Sequence, residues 1–227
     1  TKDAQFELFD FKYSKCKGIR SYNPLPTISD DSIDNAAKLI NNAKKPLIVW
    51  GQGVILGNAE KEFKDFVEKS GIPAAWTILG LSALPTSHNL NVGMVGMHGN
   101  YGPNILTNKC DLLIAIGMRF DDRVTGDPKS YASQAKIIHL DIDPAEINKN
   151  IITDVPVIGD CKESLKLITK KIEMKSHSKW ISKFDDLMKI EFEKVIKTDL
   201  NPSKDGLTTV SYTHLRAHET EADLVCR

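Results

Sequence analysis

Apolar residues in this chain fall into short unbroken blocks, and the blocks are separated by stretches with helical spacing. LIVWG (47–51), IPAAWTIL (72–79), LLIAIGM (112–118), KIIHLDID (136–143) and VPVIGD (155–160) read as five strands. The run from Leu112 to Ile116 suits a strand buried on both faces. Ser29, Asp30 or Asp31 can N-cap a helix carrying Ile33, Ala36, Ala37, Leu39 and Ile40 at helical spacing, which Lys44, Lys45 and Pro46 end. Residues 59–70 form a second helix with Phe63, Phe66 and Val67 on one face and Gly71 as its C-terminal cap. A short helix is expected at 104–108, a helical turn opening on Pro144, Ala145 and Glu146, and a helix at 161–174. Residues 179–197 are amphipathic, with Trp180, Phe184, Leu187, Met188, Phe192 and Val195 on one side. That stripe is expected to pack on the sheet domain or bridge to a further one. The alternation of strand and helix predicts an α/β fold with a doubly wound parallel sheet.

Composition narrows the function classes. The 227 residues, 41% of them apolar, suit one ordinary domain with flanking pieces. Lys and Arg total 30 and Asp and Glu total 30, so there is no global field to draw nucleic acid or anionic lipid. No apolar run approaches the ~20 residues of a membrane helix. Cys16, Cys110, Cys161 and Cys226 form no CxxC pair, which argues against a disulfide framework or a zinc site and for a reducing cytoplasm. Residues 1–27 have mixed charge, end in Pro24 and Pro26, and read as a linker leaving a preceding domain. From Val210 the chain reads VSYTHLRAHET, which resembles a translated sequencing-library adapter; residues 210–227 are therefore kept out of the fold. A chain starting at Thr1 is expected to be an internal fragment.

Each predicted strand ends in residues that suit a ligand. The first ends in Gly51, Gln52 and Gly53, with Gly57 further on, a GxGxxxG pattern that allows close approach of backbone to phosphate. A plain strand-to-helix turn accounts for it equally well. The second ends with the Thr77 hydroxyl and with Ile78 and Leu79, apolar contacts for a planar ring, although core packing is favoured for Ile78. A loop then carries Val95, Gly96, Met97, His98 and Gly99, with Met97 a soft apolar contact. No Ser or Cys nucleophile stands beside His98 in sequence, so no triad is proposed.

The third strand ends in Gly117, Met118, Arg119, Phe120, Asp121, Asp122, Arg123 and Val124. Arg119 can pair a phosphate bidentately. Asp121 and Asp122 are adjacent and would point apart in an extended turn, poor geometry for an acid/base pair; a surface ion-pair cluster is the alternative. The fourth ends in Asp141, Ile142 and Asp143, where a carboxylate can accept from ribose hydroxyls. The fifth ends in Gly159, Asp160 and Cys161, with Asp160 either a ligand acceptor or the cap of the next helix. Five such ends on one edge imply an extended nucleotide lying along it.

GMHG (96–99), RFDDRVTG (119–126) and KIIHLDIDPAEI (136–147) resemble the central, Rossmann-like domain of acetolactate synthase (acetohydroxyacid synthase) large subunits, thiamine-diphosphate enzymes of branched-chain amino-acid synthesis. The likeness runs from about residue 1 to 209. It implies a three-domain enzyme with FAD bound structurally, without net redox change, by the middle domain at 28–175, and with 176–209 leading toward a diphosphate-binding domain. The implied flavin contacts are Gly51, Gln52, Gly53, Thr77, Ile78, Val95, Gly96, Met97, His98, Gly117, Met118, Arg119, Phe120, Asp121, Asp141, Ile142, Asp160 and Cys161. Gln52 departs from an all-glycine triplet. Lys2, Asp122 and Arg123 resemble substrate-channel residues.

By the same resemblance, thiamine diphosphate and Mg²⁺ are held by the two other domains, and no catalytic or metal-binding residue lies in this chain. The whole enzyme would decarboxylate pyruvate and join the two-carbon unit to a second 2-keto acid such as 2-ketobutyrate. It would do so as a homodimer or tetramer, with a possible small regulatory subunit and no nucleic-acid or membrane partner. This chain alone is expected to be inactive. A related thiamine-diphosphate carboligase or decarboxylase, or a non-catalytic nucleotide-binding module, remains the alternative.

Overall fold

The computed structural model describes residues 5–8, 10, 12–15 and 24–200. Lys2 and residues 210–227 lie outside the described residues. The strands are β1 (Pro46–Trp50), β2 (Ala74–Trp76), β3 (Asn91–Met94), β4 (Leu112–Ile116), β5 (Lys136–Asp141) and β6 (Val155–Ile158). The helices are α1 (Asp30–Asn42), α2 (Gln52–Leu56), α3 (Glu60–Ser70), α4 (Tyr101–Thr107), α5 (Asp122–Thr125), α6 (Cys161–Lys171), α7 (Ser178–Glu191) and α8 (Lys197–Leu200), with a π-helical stretch at Phe192–Ile196. All six strands are parallel, in the order β3-β2-β1-β4-β5-β6. The chain therefore builds outward from β1 in one direction, then from β4 in the other. The β1–β4 boundary is the topological switch point, where doubly wound sheets bind ligands beyond the strands' carboxyl ends.

Alternation along each strand divides the core between two faces. Ile48, Trp50, Ile114, Ile116, Ile138 and Leu140 meet Ile33 and Ile40 of α1, Phe63 and Phe66 of α3, and Leu165 and Ile168 of α6. Leu47, Val49, Leu113 and Ala115 meet Leu106 of α4 and Trp180 and Phe184 of α7. Side chains of β1 and β4 are buried throughout, each large one contributing roughly 1.5–3 kcal/mol. The helix ends are set by local chemistry. The Ser29 hydroxyl accepts from the Ser32 N–H and acidic Asp30 and Asp31 fill the first turn of α1, while Gly71 ends α3 in the left-handed conformation.

Among the described residues the sheet has six strands, not the expected five. The additional strand, β3, is a half-buried edge strand that joins β2 through a register shift, and Gly93 within it sits at φ +103°. It has neither an apolar run nor clean alternation to announce it. The second strand is shorter than 72–79. Thr77 still donates its N–H to the Trp50 carbonyl, but Ile78–Gly80 then form a 3-10 turn. The Trp50 indole donates to the Gly80 carbonyl at 2.7 Å and holds that turn over the sheet edge. Ile78 is consequently 68% exposed, which corrects its expected place in the core.

The short helix α4 begins at Tyr101, earlier than the expected 104, and α2 follows β1 directly where only a turn was expected. The 161–174 helix stops at Lys171. The expected apolar face of 179–197 is packed only in its first half: Trp180 and Phe184 are buried, while Met188, Phe192 and Val195 are exposed. The reason is length, because α7 has 14 residues and the α4 helix beneath it has 7.

Candidate functional site

A cleft of about 650 Å³ lies across the carboxyl ends of the strands. Every strand end contributes lining residues: Met94 at the end of β3 and Val95 after it, Thr77 after β2, Gly51 after β1, Gly117 after β4, Asp141 at the end of β5, and Gly159 with Asp160 after β6. Five inter-strand steps of ~4.8 Å give the edge a span of roughly 24 Å. That is the reach of an extended dinucleotide, and the volume falls within the roughly 300–1,000 Å³ of small-molecule and cofactor sites.

At the centre, three glycines bring two backbones together. Gly51 donates its N–H to the Ile116 carbonyl at 3.0 Å and Gly53 to the Gly117 carbonyl at 2.9 Å. A Cβ on Gly51 would come within 2.6 Å of the Gly117 carbonyl oxygen, and one on Gly53 within 2.5 Å of the Gly117 Cα. Gly117 itself is at φ +55°. No side chain fits between β1 and β4 here, so backbone forms the cleft floor.

The walls differ in character. Ile78, Leu79, Leu56 and Met97 are exposed apolar side chains that line the cleft. Arg119 and Arg123 line it as well, and each guanidinium has only a loose, exposed carboxylate contact: Arg119 with Asp121 at 3.9 Å and Arg123 with Asp122 at 3.8 Å. Such pairs are weak, which leaves both cations able to meet an anion. Asp121 also N-caps α5 through the Val124 N–H, so Asp121 and Asp122 open a helix and not an extended turn. Asp160 caps α6 by accepting from the Glu163 N–H at 3.0 Å and lines the cleft as well.

Asp141 is held on the cleft floor. Burial lifts its carboxyl above the ordinary range, opposed by the Asp143 N–H at 2.9 Å. Behind it, His139 is wholly buried and its pKa is pushed down by burial. Its Nε2 donates to the Met118 carbonyl at 2.9 Å and Nδ1 has no partner, so the ring is neutral. The 3.8 Å approach to Asp141 is then not an ion pair. Burial, reinforced by Asp160 and Asp141, pushes the Cys161 thiol up to about 12, so it lines the cleft as a neutral group.

Of the residues singled out from sequence, Gly51, Gln52, Gly53, Thr77, Ile78, Val95, Met97, His98, Gly117, Met118, Arg119, Asp121, Arg123, Asp141, Ile142, Asp160 and Cys161 line one cleft. Three do not. Phe120 turns into the core, its ring 5.0 Å from that of His139 and 6.1 Å from that of Tyr131. Gly96 lies between lining residues, with its backbone bonded to Asn104. The Asp122 side chain is 81% exposed and stands outside. Sequence reasoning missed Asn104 and His139. His139 carries a signal, a polar residue inside an apolar strand; Asn104 carries none. Among the described residues no group of three or more His, Cys, Asp or Glu could hold a metal ion, and no helix is long and apolar enough to cross a membrane.

Fold and cleft together define a doubly wound, Rossmann-like α/β domain with its ligand-sized opening at the switch point. Residues 33–168 match the model of the thiamine pyrophosphate enzyme central domain, and the chain belongs to that family. Its curated relatives are more particular. It is 43% identical over 189 residues to the acetolactate synthase large subunit of Corynebacterium glutamicum, which covers 83% of this chain and 30% of that protein. It is 39% identical over 226 residues to the probable acetolactate synthase large subunit of Methanococcus aeolicus, covering 86% and 38%. With the acetolactate synthase of Mycobacterium bovis it shares 46% identity over 156 residues, covering 69% and 25%. The chain thus spans between a quarter and two fifths of the length of these relatives.

Proposed function

We propose that this chain is the flavin-carrying central part of an acetolactate synthase large subunit, with residues 28–175 as the FAD-binding unit. The observation that carries the proposal is a cleft crossing all six strand ends, floored by the Gly53–Gly117 backbone contact. The residues present fit FAD. The glycine floor admits a diphosphate close to backbone, where Arg119 and His98 supply donors. The Asp141 carboxylate can accept from ribose hydroxyls, and Ile78, Leu79 and Met97 offer apolar surface to the planar rings. FAD here holds the cleft in shape and undergoes no net redox change.

In the full-length protein, thiamine diphosphate with Mg²⁺ supplies the nucleophilic carbon for pyruvate decarboxylation and for transfer of the two-carbon unit to a second 2-keto acid. Within this chain the contribution is binding and orientation. Asp122, Arg123 and Lys2 are the residues assigned to its substrate channel by their place in the sequence. A homodimer or tetramer, with a small regulatory subunit, is the proposed assembly.

The test is titration of the purified chain with FAD, followed by flavin fluorescence and co-elution, with ADP as competitor. Saturable one-to-one binding of FAD that ADP displaces only at large excess supports the proposal. Binding of ADP without preference for FAD, or no binding of either, overturns it in favour of a relative whose central domain carries no flavin.

A further inference from the structure

We propose that Asn104 is a positioning residue for the cleft: its carboxamide takes the place of a neighbouring strand and fixes the 95–99 loop against Arg123. The inference deepens the flavin proposal and rests on it. The loop leaves β3 at the sheet edge, where, among the described residues, no further strand pairs with its backbone. Asn104 accepts the Gly96 N–H on Oδ1 at 2.8 Å and donates from Nδ2 to the Gly96 carbonyl at 2.9 Å. Both backbone groups of one residue are thereby satisfied by one side chain. The adjacent N–H, on Met97, donates to the Arg123 carbonyl at 2.8 Å. Gly96 sits at φ +106°, and a Cβ there would lie 2.7 Å from that same carbonyl oxygen. The loop is held from two sides, and Met97, His98 and Arg123 line the cleft where the two sides meet.

Asn100, one turn earlier on the same helix face, repeats the pattern. Its Oδ1 accepts the Met94 N–H at 2.9 Å, and its own N–H donates to the Met94 carbonyl at 2.8 Å. Neither side chain caps α4. The first turn of α4 thus presents a two-step ladder of amides to the loop, and α4 is tied in turn to α7, where Asn100 donates to Glu191 at 3.3 Å. The requirement is specific to a carboxamide. A carboxylate of the same shape keeps the acceptor for the Gly96 N–H but sets an oxygen against the Gly96 carbonyl.

The test compares the chain with Asn104→Asp, and with Asn104→Ala, which introduces no oxygen–oxygen contact and serves if the first variant does not fold. Three readouts are taken: FAD affinity, the visible absorbance and circular dichroism of the bound flavin at saturation, and amide hydrogen exchange of Gly96 and Met97 without ligand. The expected result is about a tenfold loss of FAD affinity in Asn104→Asp, equivalent to about 1.4 kcal/mol, with an altered flavin spectrum and faster exchange at both amides. A lower melting temperature with unchanged affinity, spectrum and exchange would make Asn104 merely structural and overturn the inference. If the unsubstituted chain binds no FAD, the flavin proposal fails, and the exchange measurement alone decides the clamp.

Discussion

The Gly53 N–H donates to the Gly117 carbonyl at 2.9 Å, and a side chain on either glycine would overlap the other's backbone. β1 and β4, far apart in sequence, are joined at their carboxyl ends by this contact. An alanine at 53 would place its Cβ 2.5 Å from the Gly117 Cα, and one at 117 would lie 2.6 Å from the Gly53 Cα while also straining a φ of +55°. Overpacking of this kind costs about 1–3 kcal/mol. Gly53→Ala and Gly117→Ala are therefore expected to lower stability by that amount in urea denaturation and to abolish FAD binding. A variant that binds FAD normally would remove the glycine floor from the account.

The opposite edge of the sheet offers a control. The Asp111 carboxylate accepts from the backbone N–H groups of Lys44 at 2.8 Å and Lys45 at 2.9 Å, tying the start of β1 to the start of β4. Hydrogen bonds to a charged acceptor contribute about 1.5–3 kcal/mol each, less where solvent reaches them. Asp111→Ala is expected to destabilise the chain by about 2 kcal/mol while leaving FAD affinity, measured on the folded variant, unchanged. Loss of affinity without loss of stability would contradict this division between the two edges.

Trp180 anchors α7. Its indole donates to the Pro46 carbonyl at 2.8 Å and its ring meets Phe184 edge-on at 5.3 Å. Removing so large a buried side chain costs about 3–5 kcal/mol. Trp180→Ala should release α7, seen as rapid amide exchange across Ser178–Glu191, whereas Trp180→Phe keeps an aromatic ring beside Phe184 and loses the hydrogen bond and part of the ring volume, a smaller cost. Equal protection of α7 in all three proteins would show that the helix is held elsewhere.

His139 makes stability depend on pH. Its pKa in the fold lies below the ordinary 6.5, so the unfolded chain binds the proton first as pH falls. Stability is then full above 6.5 and declines below it. His177, also shifted down by burial, acts with the same sign. Asp141, shifted up from 3.8, acts with the opposite sign, because the folded chain takes up that proton before the unfolded one as pH falls toward 3.8. His139→Gln keeps a donor for Met118 and removes the titration. Urea midpoints from about pH 7.5 to 5.5 should fall less steeply in the variant than in the unsubstituted chain; identical slopes would assign the whole dependence to other groups.

The sequence made the sheet interior legible and its edges less so. Leu112 to Ile116 could be read as a strand because burial on both faces leaves an unbroken apolar run. β3 could not, since an edge strand with a glycine at positive φ has no such run. Strand ends were enough to pick out most of the cleft, because a parallel sheet places them all along one edge. They were not enough for Phe120, which packs on His139 across the sheet, or for Asn104, whose partner lies in a loop that sequence spacing does not bring near it.

The Asp141 carboxylate carries the last prediction. In the free chain, burial holds its pKa above the ordinary value. Ribose hydroxyls donating to it would favour the charged form, so FAD binding would expel a proton whenever the free carboxyl is protonated. Affinity should then rise with pH through the free-chain pKa and level off above it. Asp141→Asn has nearly the same shape and no charge. It should bind FAD about tenfold more weakly at neutral pH, given the roughly 1.5–3 kcal/mol of a hydrogen bond to a charged group, and should show no such rise. FAD titrations of both proteins across the acid range decide the matter, and parallel profiles would mean that Asp141 does not touch the ligand.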